Sequence, residues 1–284
     1  MKKIISAFII VFMSVVITLP QKVQAADWGL GIYSFYAWWK PAFAKLYDEY
    51  EMDPSLYAGP MVSVTFFQDW TLGIGLYVPF ISGDVKLKYK DMGEISAQEY
   101  TINIDSKSER LDIDSSLSYR INKFFKIFAG FKLAQFTDEE TEDHYNIDKV
   151  TVSSPFTIPG DTDIRSNKIT GYGPALGISF SLPVTERVSL SVGTSGLYMK
   201  TELSITGFNE ESAFQIDGST RYKYKYKAYG NNSTLGLSYL IEPVSTVISI
   251  GGRFQVLKYN PEGDAPDLDS DYFYGVTASA MYLF

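Results

Sequence analysis

From Thr71 to Phe80 the chain reads T-L-G-I-G-L-Y-V-P-F. Leu72, Ile74, Leu76, Val78 and Phe80 fall on one side of an extended backbone, and Thr71, Gly73, Gly75 and Tyr77 on the other, because successive strand side chains point to opposite faces. The pattern recurs along the chain. Leu111, Ile113, Leu117, Tyr119 and Ile121 oppose Asp112, Asp114, Ser116, Ser118 and Arg120. Phe125, Ile127, Ala129, Phe131 and Leu133 oppose Lys126, Phe128, Gly130, Lys132 and Ala134. Leu176, Ile178, Phe180 and Leu182 oppose Gly171, Gly173, Gly177, Ser179 and Ser181, and Val188, Leu190 and Val192 oppose Ser189, Ser191, Gly193 and Ser195. Leu235, Leu237, Tyr239 and Ile241 oppose Thr234, Gly236 and Ser238, while Ile248, Ile250, Phe254 and Val256 oppose Ser249, Gly251, Arg253 and Gln255.

An opening strand over residues 28–39, a second over 58–67 and a last over 272–284 bring the number to ten, even as a closed barrel with both termini on one side requires. Eight or twelve strands are the alternatives, twelve if residues 150–158 form a further membrane hairpin. Connections alternate in length. The short ones are 68–70, 122–123, 183–187 and 242–245; the long ones are 40–57, 90–99, 137–168, 207–220 and 260–270. That asymmetry is expected of periplasmic turns and outer loops. A soluble barrel puts its large apolar residues inside, but here the face opposite them is Gly, Ser, Asp, Lys and Arg. Lipid is the medium that the apolar face then meets. Aromatics gather near both strand ends as two interfacial girdles would: Phe66, Trp70, Tyr119, Phe125, Phe180, Tyr239, Tyr282 and Phe284 by the short turns, Trp38, Trp39, Phe80, Tyr172, Tyr198 and Tyr272 by the long loops.

The remaining composition narrows the class. The 284 residues include 22 Gly, 21 Tyr and 19 Phe but no Cys, which excludes a disulfide scaffold and thiolate metal sites, and a mean hydropathy of −0.04 excludes a polytopic helical membrane protein. Lys2-Lys3, the apolar run 4–19, Pro20 and a polar stretch ending at Ala25 have the three-part layout of a secretory signal peptide. An uncleaved anchor helix is the alternative. Cleavage after Ala25 leaves one barrel domain over residues 26–284, and loss of the three leader lysines takes the net charge from −8 to −11. Nucleic acid is therefore excluded as a partner, since phosphate neutralisation needs a basic face.

The last eleven residues, Y-G-V-T-A-S-A-M-Y-L-F, place Val276, Ala278, Ala280, Tyr282 and Phe284 at every second position. This resembles the terminal assembly signal of bacterial outer-membrane β-barrel proteins. The resemblance implies the outer membrane of a Gram-negative-type envelope, porin-like architecture, periplasmic chaperones, insertion by the barrel-assembly machinery, and contact with outer-membrane lipid and lipopolysaccharide. It assigns no subfamily and no activity.

Few residues offer chemistry. His144, in E-T-E-D-H-Y-N, is the only histidine, so any Ser-His or multi-His mechanism must use it. Ten-stranded barrels resembling the omptin proteases carry an Asp/His pair and a carboxylate pair near the outer rim. Asp143-His144 with Glu140 or Glu142 supplies those residue types, but as neighbours along the chain, and the rest of that pattern is not recognisable. A solvated loop histidine is the plainer reading. Residues 137–168 carry eight carboxylates against three basic residues, and Asp264, Asp267, Asp269 and Asp271 crowd another loop; the spacing is not that of an EF-hand, and both read as solvated acidic surface. No cofactor is implied. In the lumen, the turn at Asn122-Lys123 and matched parity require the fourth and fifth strands to pair with register sums of 244 or 246, so Lys132 faces Asp112 or Asp114. Arg120, Lys126 and Arg253 also point inward, giving a charged and ion-paired lumen.

Three function classes follow. A non-enzymatic surface protein would act through its acidic outer loops, in adhesion, surface protection or envelope integrity. A narrow channel for small solutes or ions would use the small inward faces of the sixth and seventh strands. An outer-membrane protease or lipid hydrolase would rest on His144 and its acidic neighbours.

Overall fold

The computed structural model describes residues 27–42, 49–81, 84–89, 102–141, 163–209 and 220–284. The strands are β1 (Asp27–Lys40), β2 (Glu49–Met52), β3 (Ser55–Phe66), β4 (Trp70–Ile81), β5 (Asp84–Tyr89), β6 (Ile102–Arg120), β7 (Phe125–Thr141), β8 (Asp163–Pro183), β9 (Val188–Asn209), β10 (Thr220–Ile241), β11 (Thr246–Glu262) and β12 (Ser270–Leu283). All neighbours are antiparallel, and β1 pairs with β12 to close the ring. β2 and β5 pair with each other beyond the outer ends of β3 and β4. The β4–β6 ladder ends at Tyr77↔Asp112, and β5 resumes it at Asp84↔Lys107. Two of the barrel strands are thus interrupted, and the chain forms a closed ten-stranded up-and-down barrel. Residues 1–26, 142–162 and His144 lie outside the described residues, as do the leader and the supposed hairpin at 150–158.

Side chains pin the short turns. Asn122 Oδ1 accepts from the Phe124 and Phe125 amides at 2.8 and 2.9 Å, an Asx turn. Thr185 Oγ1 accepts from Arg187 and Val188 at 3.2 and 3.0 Å. The first turn needs left-handed backbone at Phe67 and Gln68, φ 50° and 63°, the twist that tight hairpins prefer.

Where side chains are described, parity along the barrel strands is as the alternation requires. The outward side carries Leu30, Ile32, Leu72, Leu117, Ile127, Leu176, Ile178, Val192, Leu235, Leu237 and Ile250, all exposed. Val276, Ala278, Ala280, Tyr282 and Phe284 also alternate outward on β12 and beyond its end. Paired rings edge this band on the short-turn side, Trp70–Tyr119, Phe125–Phe180 and Tyr282–Phe284, and on the long-loop side, Trp38–Tyr274, Phe131–Tyr172 and Phe254–Tyr274. Such a band is the lipid contact of a bacterial outer-membrane barrel. Ile250, 59% exposed near its middle, supplies a test: Ile250→Arg should cost about 2–4 kcal/mol, read as loss of the heat-shifted folded band on a gel, while Ile250→Phe should be silent. Equal tolerance of both would contradict the outward assignment.

Two expectations need correction. Two of the long connections are partly strand: β7 runs on to Thr141 and β8 starts at Asp163 within the stretch 137–168, and β2 lies within 40–57, whereas β9 and β10 pair out to Gly207↔Thr220 as expected. The lumen is also not uniformly small and charged. Phe35, Ala37, Trp39, Tyr57, Phe136, Met199, Tyr226, Tyr259 and Phe273 form a buried core inside its outer half. Trp39 is therefore a core residue and no part of a girdle; it follows Trp38 by one position, so the pleat turns it inward.

Candidate functional site: the charged lumen

β6 delivers Arg110, Asp112 and Asp114 to the lumen at successive inward positions, and β7 sets Lys132 directly opposite Asp114, a register sum of 246. Lys132 Nζ donates to Asp112 Oδ2 at 2.7 Å and to Asp114 Oδ1 at 2.8 Å. Arg110 Nε donates to the other oxygen of Asp112 at 3.1 Å. From across the barrel Arg253 donates to Asp114 Oδ2 at 3.1 Å and to Asn232 Oδ1 at 2.9 Å. Asp271 completes the set. It accepts from Trp39 Nε1 at 2.8 Å and from the Tyr259 hydroxyl at 3.4 Å, with Arg110 at 3.9 Å. Three cations thus meet three carboxylates, and all but Asp114 are almost fully buried. Balanced charge is what so dry a cluster requires, because an unpaired buried ion is far costlier than an unpaired neutral group.

The cluster divides the lumen. Toward the periplasm lies a cavity of about 280 Å³ lined by Gly73, Asp114, Ser116, Gly130, Lys132 and Ser195, among others. Toward the outside Arg110, Asp112 and Arg253 share with the rings of Phe35, Tyr57, Tyr77 and Phe273 a pocket of only about 10 Å³, room for about one water. Arg110 lies over the Phe273 ring at 4.0 Å. Trp39 packs on Phe136 with centroids 4.0 Å apart, and Phe35 on Phe273 at 4.8 Å. The segment after β11 closes over this core: Leu268 is buried in it, the Tyr226 hydroxyl donates to the Pro266 carbonyl at 3.1 Å, and the Asp269 amide to the Ala42 carbonyl at 3.0 Å.

Four of the expected lumen residues, Asp112, Asp114, Lys132 and Arg253, come together here. Arg120 and Lys126 do not join them. They pair in register at the short-turn end of β6 and β7, and no ion pair forms to either among the described residues. Arg120 is exposed and Lys126 part-buried at that end, away from the carboxylates of the cluster. Asp271 corrects the view of its loop as solvated, since it is the first inward residue of β12. The small faces of β8 and β9 are partly filled, as the Phe128 ring occupies the space over Gly177 and Met199 approaches Gly171. Arg110, Gln255, Trp39 and Asp271 went unassigned to the site, although Arg110 and Gln255 share the inward parity of Asp112 and Arg253.

No protein-family model matches the sequence, and no curated protein matches it. Among solved structures the chain resembles the outer membrane protease OmpT from Escherichia coli, with TM-score 0.55 and 9% identity over 94% of this chain and 99% of that one. The translocator domain of autotransporter NalP from Neisseria meningitidis gives TM-score 0.42 at 9% identity, covering 96% and 93% of the two chains. The Pseudomonas putida toluene transporter TodX gives 0.35 at 11%, covering 93% and 90%. At such identities the likeness is one of fold alone. These barrels differ in role.

Proposed function

We propose that the protein is a non-conducting outer-membrane barrel that acts from its outer strand ends and loops, in surface attachment or envelope integrity. The carrying observation is the filled outer lumen: a charge-balanced, buried ion cluster packs against an aromatic core, and the pocket that Arg110, Asp112 and Arg253 share with Phe35, Tyr57 and Phe273 is only about 10 Å³. A conduit needs binding weak enough to release and a wet path, and neither suits this layer. In planar bilayers the purified protein should therefore show no steady conductance steps. Regular steps would overturn the reading in favour of a narrow channel, for which the periplasmic cavity of about 280 Å³ is the supporting feature. A hydrolase reading shares its fold with OmpT and draws its chemistry from Asp143 and His144. Turnover of a peptide or phospholipid that disappears in His144→Ala would support that reading instead.

A further inference from the structure

The charge of this chain is unevenly spread. On the outer wall, from the girdle residue Tyr172 outward, β8, β9, β10 and β11 shape a groove of about 760 Å³ lined by Lys168, Lys200, Lys223, Lys225 and Lys227 against Glu202 and Glu262, a net +3 in a chain of net charge −8. Parity puts all seven side chains on the outward face. Lys223 pairs with Glu202 at 2.7 Å and Lys227 with Glu262 at 2.9 Å. Among the described residues no carboxylate pairs with Lys168, Lys200 or Lys225. The hydrogen bond from Lys227, with the charges of Lys225 and Lys200 beside it, holds the Glu262 carboxyl below the usual carboxylate range. Lys200 and Lys227 stand directly opposite each other on adjacent strands, an arrangement of like charges that destabilises a ladder unless something negative lies between them.

The level of the groove identifies the anion. Tyr198 and Tyr229, also cross-strand partners, sit one outward position nearer the membrane than Lys200 and Lys227. Below them the wall carries a polar ring where lipid tails begin: Asn231 Nδ2 donates to Thr194 Oγ1 at 2.9 Å, Ser233 Oγ to Asn231 Oδ1 at 2.6 Å, and Thr194 and Ser233 share a bond of 3.0 Å. Beside it Gly196 faces open space. Polar groups on a lipid face are expensive, and these lie between the lysines and the apolar Leu176, Val192 and Leu235. The sequence lysines, aromatic pair, hydroxyl and amide ring, apolar wall matches phosphate, interface, linkage and acyl chain of one amphiphile.

We propose that this face of β8–β11 binds a phosphorylated glycolipid of the outer leaflet, with Lys168, Lys200, Lys225 and Lys227 on its phosphates and Thr194, Asn231 and Ser233 beside its acyl linkages. A soluble anion would need the lysines alone. The site does not depend on whether the lumen conducts. Native mass spectrometry of the folded protein in neutral detergent tests it with three probes: lipid A, its dephosphorylated counterpart and inorganic pyrophosphate. Near a charged headgroup each lysine contributes roughly fivefold in affinity, so Lys168→Gln/Lys200→Gln/Lys225→Gln should weaken lipid A binding on the order of a hundredfold. On the wild type, removing the phosphates should weaken binding comparably, and pyrophosphate should not displace lipid A. Equal retention of both lipids by the wild type overturns the proposal, even where the triple variant fails to fold. So does an unchanged folded variant, and displacement by pyrophosphate would make this a soluble-anion site instead.

Discussion

Lys132→Met lowers the stability of the folded barrel by about 3 kcal/mol, toward the lower end of what losing one member of a buried ion pair costs. The ammonium is 3% exposed and bridges Asp112 and Asp114, so its removal leaves the cluster with one excess negative charge. Each carboxylate keeps an arginine, Asp112 with Arg110 and Asp114 with Arg253, which keeps the loss from being larger. Asp114, 29% exposed and lining the periplasmic cavity, can also draw on water. Asp112 cannot. Lys132→Met/Asp112→Asn restores neutrality with Arg110 and Arg253 against Asp114 and Asp271, and should recover most of the loss. Thermal unfolding of both variants in one detergent measures this. If the lumen were hydrated throughout, the single variant would lose only about 0–1 kcal/mol, the worth of an exposed pair, and the double would bring no recovery. That outcome would also weaken the case for a sealed barrel.

The register behind this expectation was legible in the sequence, and physical chemistry explains why. Between the girdles one face must be apolar and the other need not be, so Leu117 against Ser116, or Ile127 against Lys126, gives a period-two contrast without a structure. A tight turn at Asn122 then leaves only two register sums that keep both apolar faces outward, and the observed 246 is one of them. Outside the membrane that contrast fades. Both faces there tolerate polar or amphipathic groups, so β7 to Thr141 and β8 from Asp163 run unannounced into the stretch 137–168 that reads as a loop. The same loss of contrast hid Arg110 and Asp271. Each lies where its strand leaves the lipid band, two residues before Asp112 or Phe273, so its inward parity follows from the alternation but nothing in the local pattern marks it as a member of the cluster. Arg120 and Lys126 show a different gap: parity gives a residue's side of the strand but says nothing of depth, and both lie at the short-turn end, away from the carboxylates.

Trp39 shows what depends on that inward turn. Its indole packs against Phe136 and donates to Asp271, so it joins the aromatic core to the ion cluster. Trp39→Ala removes a buried side chain that the rigid wall cannot collapse around, a cost of about 3–5 kcal/mol. Trp39→Phe keeps most of the packing and loses the N–H, leaving a buried carboxylate short of one donor at about 1–3 kcal/mol. The two variants should therefore fall in that order in thermal unfolding, with Trp38→Phe, one residue away on the lipid side, close to wild type. A girdle role for Trp39 would reverse the comparison, making positions 38 and 39 alike and the missing N–H silent. Bilayer recordings of Trp39→Ala add the functional half of the test. If Trp39 is part of the seal, the alanine variant should admit ions in brief openings that the wild type lacks, because the gap left beside Phe136 lies next to the Arg110 guanidinium. Persistent silence in a folded Trp39→Ala barrel would mean that Phe35, Tyr57 and Phe273 close the lumen by themselves.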